Sequence, residues 1–336
     1  MKKLLVYLLF LAVFPAYGAA IAEASPIWKS LSKGCFVQKS DTHTTYIIQD
    51  YGDGHVPIET ILVIPHTWKG DTNCVAWIES LPRTTFDLDQ IKATSIQFGR
   101  LFVHLFPRGS KLLDNSYPTE IIDRNPVAQD DAQNIEAELA SDYGGEHITD
   151  LGTLLQRVNE IIKCKFIIYG GSLGGYMAVQ ALMHPGINKF FAAGVCVSGF
   201  YSLDTTVFFP KWALLPEIAL ATQRVHLSGT DKADMLTPIS YVETSISKFK
   251  SLPKEELERQ AFPINCTDQI KVPLLVIHGE KDYTTLCSPE GARTFAEALK
   301  STGNKFTYVE IPGATHMNID EHILKPIEEF LNTHKL

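Results

Sequence analysis

A short apolar run, Phe166-Ile167-Ile168-Tyr169, passes without a linker into Gly170-Gly171-Ser172-Leu173-Gly174-Gly175 and then into a helix-forming segment, Tyr176 to Leu182. A strand that ends in Gly-x-Ser-x-Gly and turns at once into a helix holds its serine on a sharp, strained turn with the hydroxyl exposed. The glycines have a steric purpose: Gly170 and Gly174 let strand and helix approach with no Cβ between them, and a small residue at 171 leaves the serine room. Ser172 is the candidate nucleophile. Gly/Ser runs also make ordinary turns, so the strand before the motif and the helix after it carry the reading.

The rest of the chain repeats that alternation. Strand candidates are Ile61–Ile64, Leu101–Phe106, Phe166–Tyr169, Gly194–Ser198, Leu274–Ile277 and Thr307–Ile311, with Tyr46–Ile48 as an antiparallel edge strand that opens the sheet. Helical patterns cover Ile148–Ile162, Leu173–Met183, Gly291–Ser301 and about Asp320–Leu331. Strands alternating with amphipathic helices predict an α/β fold with a mostly parallel sheet covered on both faces. Two stretches interrupt the rhythm. Residues 107–147 are rich in Asp, Asn, Pro and Gly and suit a solvated surface excursion. Residues 199–265 form a long insertion between two strands, either an inserted helical lid over Ser172 or a helical surface embellishment.

The amino terminus, Met1-Lys2-Lys3 followed by apolar Leu4 to Phe14 and then small residues to Ala24, has the form of a secretory signal peptide, with processing expected near residue 22. Its apolar run is too short to cross a bilayer, and no later stretch is long enough. Residues 23–336 are thus expected to be one exported domain, periplasmic or secreted, with no stable membrane insertion. The formal net charge of -8, without any basic block, argues against nucleic acid as a partner. Six cysteines, at 35, 74, 164, 196, 266 and 287, sit in a compartment that permits disulfides, and none forms a CxxC pair, which argues against structural zinc. Cys164 and Cys196 read as buried thiols; Cys266 with Cys287, and Cys35 with Cys74, are candidate bridges.

A serine hydroxyl needs a base to accept its proton and a carboxylate to orient that base, and on this kind of sheet the chain order is Ser, acid, His. Downstream, Leu274-Leu275-Val276-Ile277 runs into His278-Gly279-Glu280-Lys281-Asp282, which puts carboxylates just past a strand's carboxyl end. Asp282 is the expected acid and Glu280 the fallback. The strand Thr307–Ile311 is followed by Pro312-Gly313-Ala314-Thr315-His316, so His316 is the expected base; His278 is confined at its strand terminus, and His322 and His334 read as surface residues. Oxyanion donors are expected from Leu173 N–H at the start of the helix and from Thr67 or Trp68 in the loop after Ile61–Ile64. Trp68 is equally readable as a plain pocket wall.

Gly-Gly-Ser172-Leu-Gly-Gly, His278-Gly-x-x-Asp282, Gly313-x-x-His316 and Phe106-Pro107-Arg108-Gly109-Ser110 together resemble the catalytic domain of the prolyl oligopeptidase family, within the α/β-hydrolase superfamily, over roughly residues 55–335. The resemblance implies an α/β-hydrolase fold and a serine hydrolase that uses Ser172, Asp282 and His316, with no metal or organic cofactor and with small peptides or esters as substrates. This chain has His66-Thr67-Trp68 where the family commonly has His-Gly-Gly, and too few residues precede the first strand for the family's amino-terminal β-propeller. On the resemblance alone peptidase activity is the leading expectation; these departures leave a carboxylesterase beside it, with a non-catalytic binding protein as the alternative from another class. A dehalogenase would need a carboxylate at position 172.

Overall fold

A computed structural model describes residues 29–32, 35–50, 58–70, 74–78, 88–98, 100–106, 145–201, 263–282 and 287–336. The expected signal peptide, the motif residues 107–110, most of the polar stretch 107–147 and the bulk of the insertion 199–265 lie outside the described residues.

Among the described residues, ten strands form one sheet: β1 (Lys29–Ser32), β2 (Cys35–Lys39), β3 (His43–Asp50), β4 (Ile58–Pro65), β5 (Cys74–Ile78), β6 (Leu101–Phe106), β7 (Phe166–Gly171), β8 (Phe191–Val197), β9 (Leu274–Gly279) and β10 (Phe306–Ile311). Their spatial order is β1-β2-β3-β4-β6-β5-β7-β8-β9-β10. From β5 through β10 every pairing is parallel. β1 to β4 form an antiparallel run, and β4 joins the parallel part by pairing antiparallel with β6. The parallel part thus begins at β5, a strand missing from the sequence expectation, and not at Ile61. The segment around Tyr46–Ile48 is not an edge either, since β3 is hydrogen-bonded on both sides.

The central strands read as continuous apolar runs because both of their faces are covered. Alternate residues feed two cores. Ile168, Cys196 and Val276 join Leu155, Val179, Leu182 and Phe295 on one face. Ile167, Val195, Leu275 and Ile277 join Ile323, Ile327 and Phe330 on the other. The helices are α1 (Leu88–Phe98), α2 (Gly145–Ile161), α3 (Leu173–Met183), α4 (Pro289–Ser301) and α5 (Leu324–His334). α1 was not expected; its Ser95 hydroxyl lies 3.2 Å from the carbonyl of Val63 and 2.7 Å from that of Arg100. α4 starts where its sequence dictates, with Ser288 as N-cap accepting from Gly291 N–H at 3.0 Å and Pro289 in the first turn.

All six cysteines are free thiols. Cys35 on β2 and Cys74 on β5 are four strand spacings apart in the sheet, about 19 Å, well beyond disulfide reach. Ile264 N–H donates to the carbonyl of Tyr201 at 3.2 Å, which ties together the two described ends that flank residues 202–262. No helix among the described residues is long and apolar enough to cross a membrane.

Candidate active site

The sheet presents the carboxyl ends of β7, β9 and β10 along one edge, and the three sequence candidates stand on the turns that leave them. Ser172 follows β7 directly, with φ 55° and ψ -125°, a conformation that L-residues rarely adopt. Its surroundings impose it. Ser172 N–H donates to Val197 O on β8 at 2.8 Å, while its carbonyl accepts from Gly175 N–H at 3.0 Å and Tyr176 N–H at 3.2 Å in the first turn of α3. Such strain costs on the order of 1–3 kcal/mol and persists only where the surroundings over-determine it. The glycines make the turn possible: a Cβ on Gly170 would stand 2.1 Å from Gly174 O.

Asp282 comes three residues after β9 and is fully buried, its N–H bonded to Gly279 O at 3.1 Å. His316 comes five residues after β10, beyond a turn in which Gly313 takes φ 73° and Ala314 N–H returns to Ile311 O at 3.2 Å. Ser172 Oγ lies 3.0 Å from His316 Nε2, and His316 Nδ1 lies 2.8 Å from Asp282 Oδ2. With the proton on Nδ1, that nitrogen donates to the carboxylate and Nε2 is left to accept from the serine. Burial alone would lower the His316 pKa, but the hydrogen bond and charge of Asp282, with a smaller contribution from Asp320, outweigh it and raise the pKa overall.

His278 lies under this chain. It is fully buried, with Nε2 donating to Cys287 O at 3.2 Å and standing 3.6 Å from Asp282 Oδ2. Burial pushes its pKa down against the pull of Asp282, which favours the neutral ring. The Cys287 thiol neighbours the Ser172 hydroxyl, and burial together with the charge of Asp282 drives its pKa well up, so it stays a thiol. It faces the serine and is not bridged to Cys266. Sequence reasoning missed this neighbour because residues 283–286 separate Cys287 from Asp282 and nothing in the spacing signals a return to the site. Glu280, the fallback acid, points elsewhere: Oε2 accepts from Gly313 N–H at 2.7 Å.

A model of the prolyl oligopeptidase family matches residues 139–334, more than half of the chain, and spans Ser172, Asp282 and His316. The chain belongs to the prolyl oligopeptidase family. Solved structures give the same fold. The acylaminoacyl peptidase of Pyrococcus horikoshii is similar with a TM-score of 0.58 at 17% identity, covering 88% of this chain and 42% of that one. A puromycin-hydrolyzing peptidase of Mycobacterium tuberculosis gives 0.55 at 17%, with 86% and 39% covered. A cold-adapted esterase from an Arctic intertidal metagenomic library gives 0.51 at 12%, with 92% and 99% covered. The chain spans less than half the length of the two peptidases, and at these identities the likeness speaks for the fold alone. No curated protein matches by sequence.

The prolyl oligopeptidase fold corrects one site expectation. Because β4 runs antiparallel to β6, its carboxyl end, and with it His66-Thr67-Trp68, lies at the sheet edge opposite Ser172. From β4 to β7 the sheet is three strand spacings wide and some seven residues long, which puts Thr67 about 20 Å or more from the serine. The loop belongs to the β2–β3 hairpin instead. His66 N–H donates to Thr42 O at 2.9 Å, and His66 Nδ1 to Asp41 O at 3.1 Å. Trp68 N–H is taken by Pro65 O at 3.0 Å, and the indole packs against the core. Thr67 and Trp68 are therefore not oxyanion donors. Reading Ile61–Ile64 as the first parallel strand caused the error; β5 is that strand, and its last residue, Ile78, pairs with Gly170, two positions before Ser172. Leu173 keeps its expected place as the first residue of α3, where backbone N–H groups have no partner within the helix. Among the described residues no group of three His, Cys, Asp or Glu is arranged to hold a metal ion.

Proposed function

We propose that the chain is an exported serine hydrolase that cleaves peptide bonds through an acyl-enzyme on Ser172. The observation that carries this reading is the unbroken hydrogen-bonded chain from Ser172 through His316 to the buried carboxylate of Asp282, with the serine on a strained turn. Membership of a serine peptidase family supports peptide substrates, and the leader-like pattern from Met1 to Ala24 supports export. In the reaction, Ser172 Oγ attacks the carbonyl carbon while His316 Nε2 takes its proton, and the Asp282 carboxylate stabilises the imidazolium that forms. The imidazolium protonates the leaving amine, and a water activated by the same nitrogen releases the acyl group. Leu173 N–H holds the developing oxyanion; one such donor is worth about 100- to 1000-fold in rate.

The test is labelling of the mature protein by a fluorophosphonate, with Ser172→Ala as control. Labelling of the wild type and none of the variant is expected; an unlabelled wild type removes the activated serine. Rates on short peptide amides against acetyl and butyryl esters then assign the substrate class.

A further inference from the structure

The acid and the base of this site stand on two separate loops, and Asp282 and His316 are 34 positions apart along the chain. Main-chain bonds hold the loops together at their roots: Glu280 N–H donates to Ile311 O at 3.0 Å and Lys281 N–H to Ala314 O at 2.8 Å. Gly279 and Ala314 are so close that a Cβ on the glycine would stand 2.6 Å from Ala314 O. These contacts fix where the base loop starts. Within the loop tip, Gly313 to His316, they anchor Ala314, and beside it Gly313 sits in the left-handed region, where glycine has the most freedom. One side chain reaches across to that tip. The Glu280 carboxylate accepts the Gly313 N–H at 2.7 Å, a charge-assisted bond three residues before His316. Together with the Asp282–His316 pair, it joins the two loops through side chains.

From this geometry we infer that Glu280 is a positioning residue for His316: its carboxylate locks the base loop so that the imidazole spans Asp282 and Ser172 at once. The inference deepens the proposed function and rests on it. Glu280 is exposed and touches neither Ser172 nor His316, so it acts through the loop alone. Its two-residue offset from Asp282, which made it a substitute acid in the sequence, is what aims it at Gly313. The turn after β9 directs residue 282 inward to full burial and leaves residue 280 on the rim.

The experiment measures the second-order rate of fluorophosphonate labelling against pH for the wild-type chain, Glu280→Ala, Glu280→Gln and Asp282→Asn. Glu280→Ala is expected to label about 10- to 100-fold more slowly, the scale set by a misplacement of about 1 Å. The acid limb of its profile should also move to lower pH as the Asp282–His316 bond loosens, with an unchanged unfolding midpoint. Glu280→Gln, whose amide oxygen can accept the same N–H bond, should recover most of the rate. A Glu280→Ala rate and acid limb equal to wild type overturn the inference. So does a Glu280→Gln as impaired as Glu280→Ala, and a Glu280→Gln as impaired as Asp282→Asn would make Glu280 the orienting acid itself. An unlabelled wild type would instead strike the proposed function.

Discussion

Replacing Gly170 by alanine tests whether the serine turn is built on contact between two backbones. The Cβ of an alanine at 170 would lie 2.1 Å from Gly174 O, 2.3 Å from Gly174 C and 2.8 Å from Gly175 N. All three are backbone atoms in the first turn of α3, so no side chain can swing away. Opening the shortest contact to an ordinary 3.4 Å parts strand and helix by roughly 1.3 Å. Overpacking of this kind costs about 1–3 kcal/mol where side chains can adjust, and the upper end is expected here. The same movement carries Ser172 away from His316 Nε2, now 3.0 Å distant, for a loss of about 100-fold in fluorophosphonate labelling rate. Gly171→Ala is the internal control. Its nearest neighbour would be Val197 O at 3.9 Å, and alanine there should change stability by no more than about 1 kcal/mol, through the unfolded chain. Urea denaturation followed by tryptophan fluorescence gives the stabilities. Equal stability and equal labelling of the two variants would refute the account of the turn.

Three further outcomes follow from the site. His316 must be neutral to accept the serine proton and its pKa is raised, so labelling should fall as pH drops through a value above the ordinary histidine figure of about 6.5; an acid limb at or below that figure contradicts the Asp282 contact. Asp282→Asn removes the charge and the tautomer control, so the rate should fall by about 10⁴-fold with the acid limb displaced downward; a loss under tenfold would mean that another group orients the imidazole. Thr67→Ala and Trp68→Phe should leave the labelling rate within about twofold, since an oxyanion donor would cost far more; a hundredfold loss in either would return that loop to the site.

The three residues of the site were legible in the sequence because each stands within a few positions of a strand whose apolar run is unmistakable. Phe166–Tyr169, Leu274–Ile277 and Thr307–Ile311 lie wholly within β7, β9 and β10. In a parallel sheet, strand ends fall on one edge, so order along the chain becomes neighbourhood in space. That inference fails as soon as one strand is reversed. Ile61–Ile64 has the same apolar texture as its neighbours, since β4 is also buried, and composition does not record direction. What sets direction is the pairing with β3 and β6. β5 would have revealed it, but Cys74–Ile78 is only five residues long, so the strand escaped notice and the loop inherited the wrong edge.

The same reasoning separates Glu280 from Asp282. Both carboxylates follow β9 and either could serve as acid on spacing alone. Burial decides between them. An orienting acid must keep its charge beside the imidazole in a setting that water does not screen, and Asp282, fully buried 2.8 Å from His316 Nδ1, meets that requirement. Glu280 on the rim does not, and a carboxylate on a surface loop contributes through the geometry of the N–H it holds. The two acids of one short turn thus divide the work by depth, the inner one acting on the charge of the base and the outer one on its position.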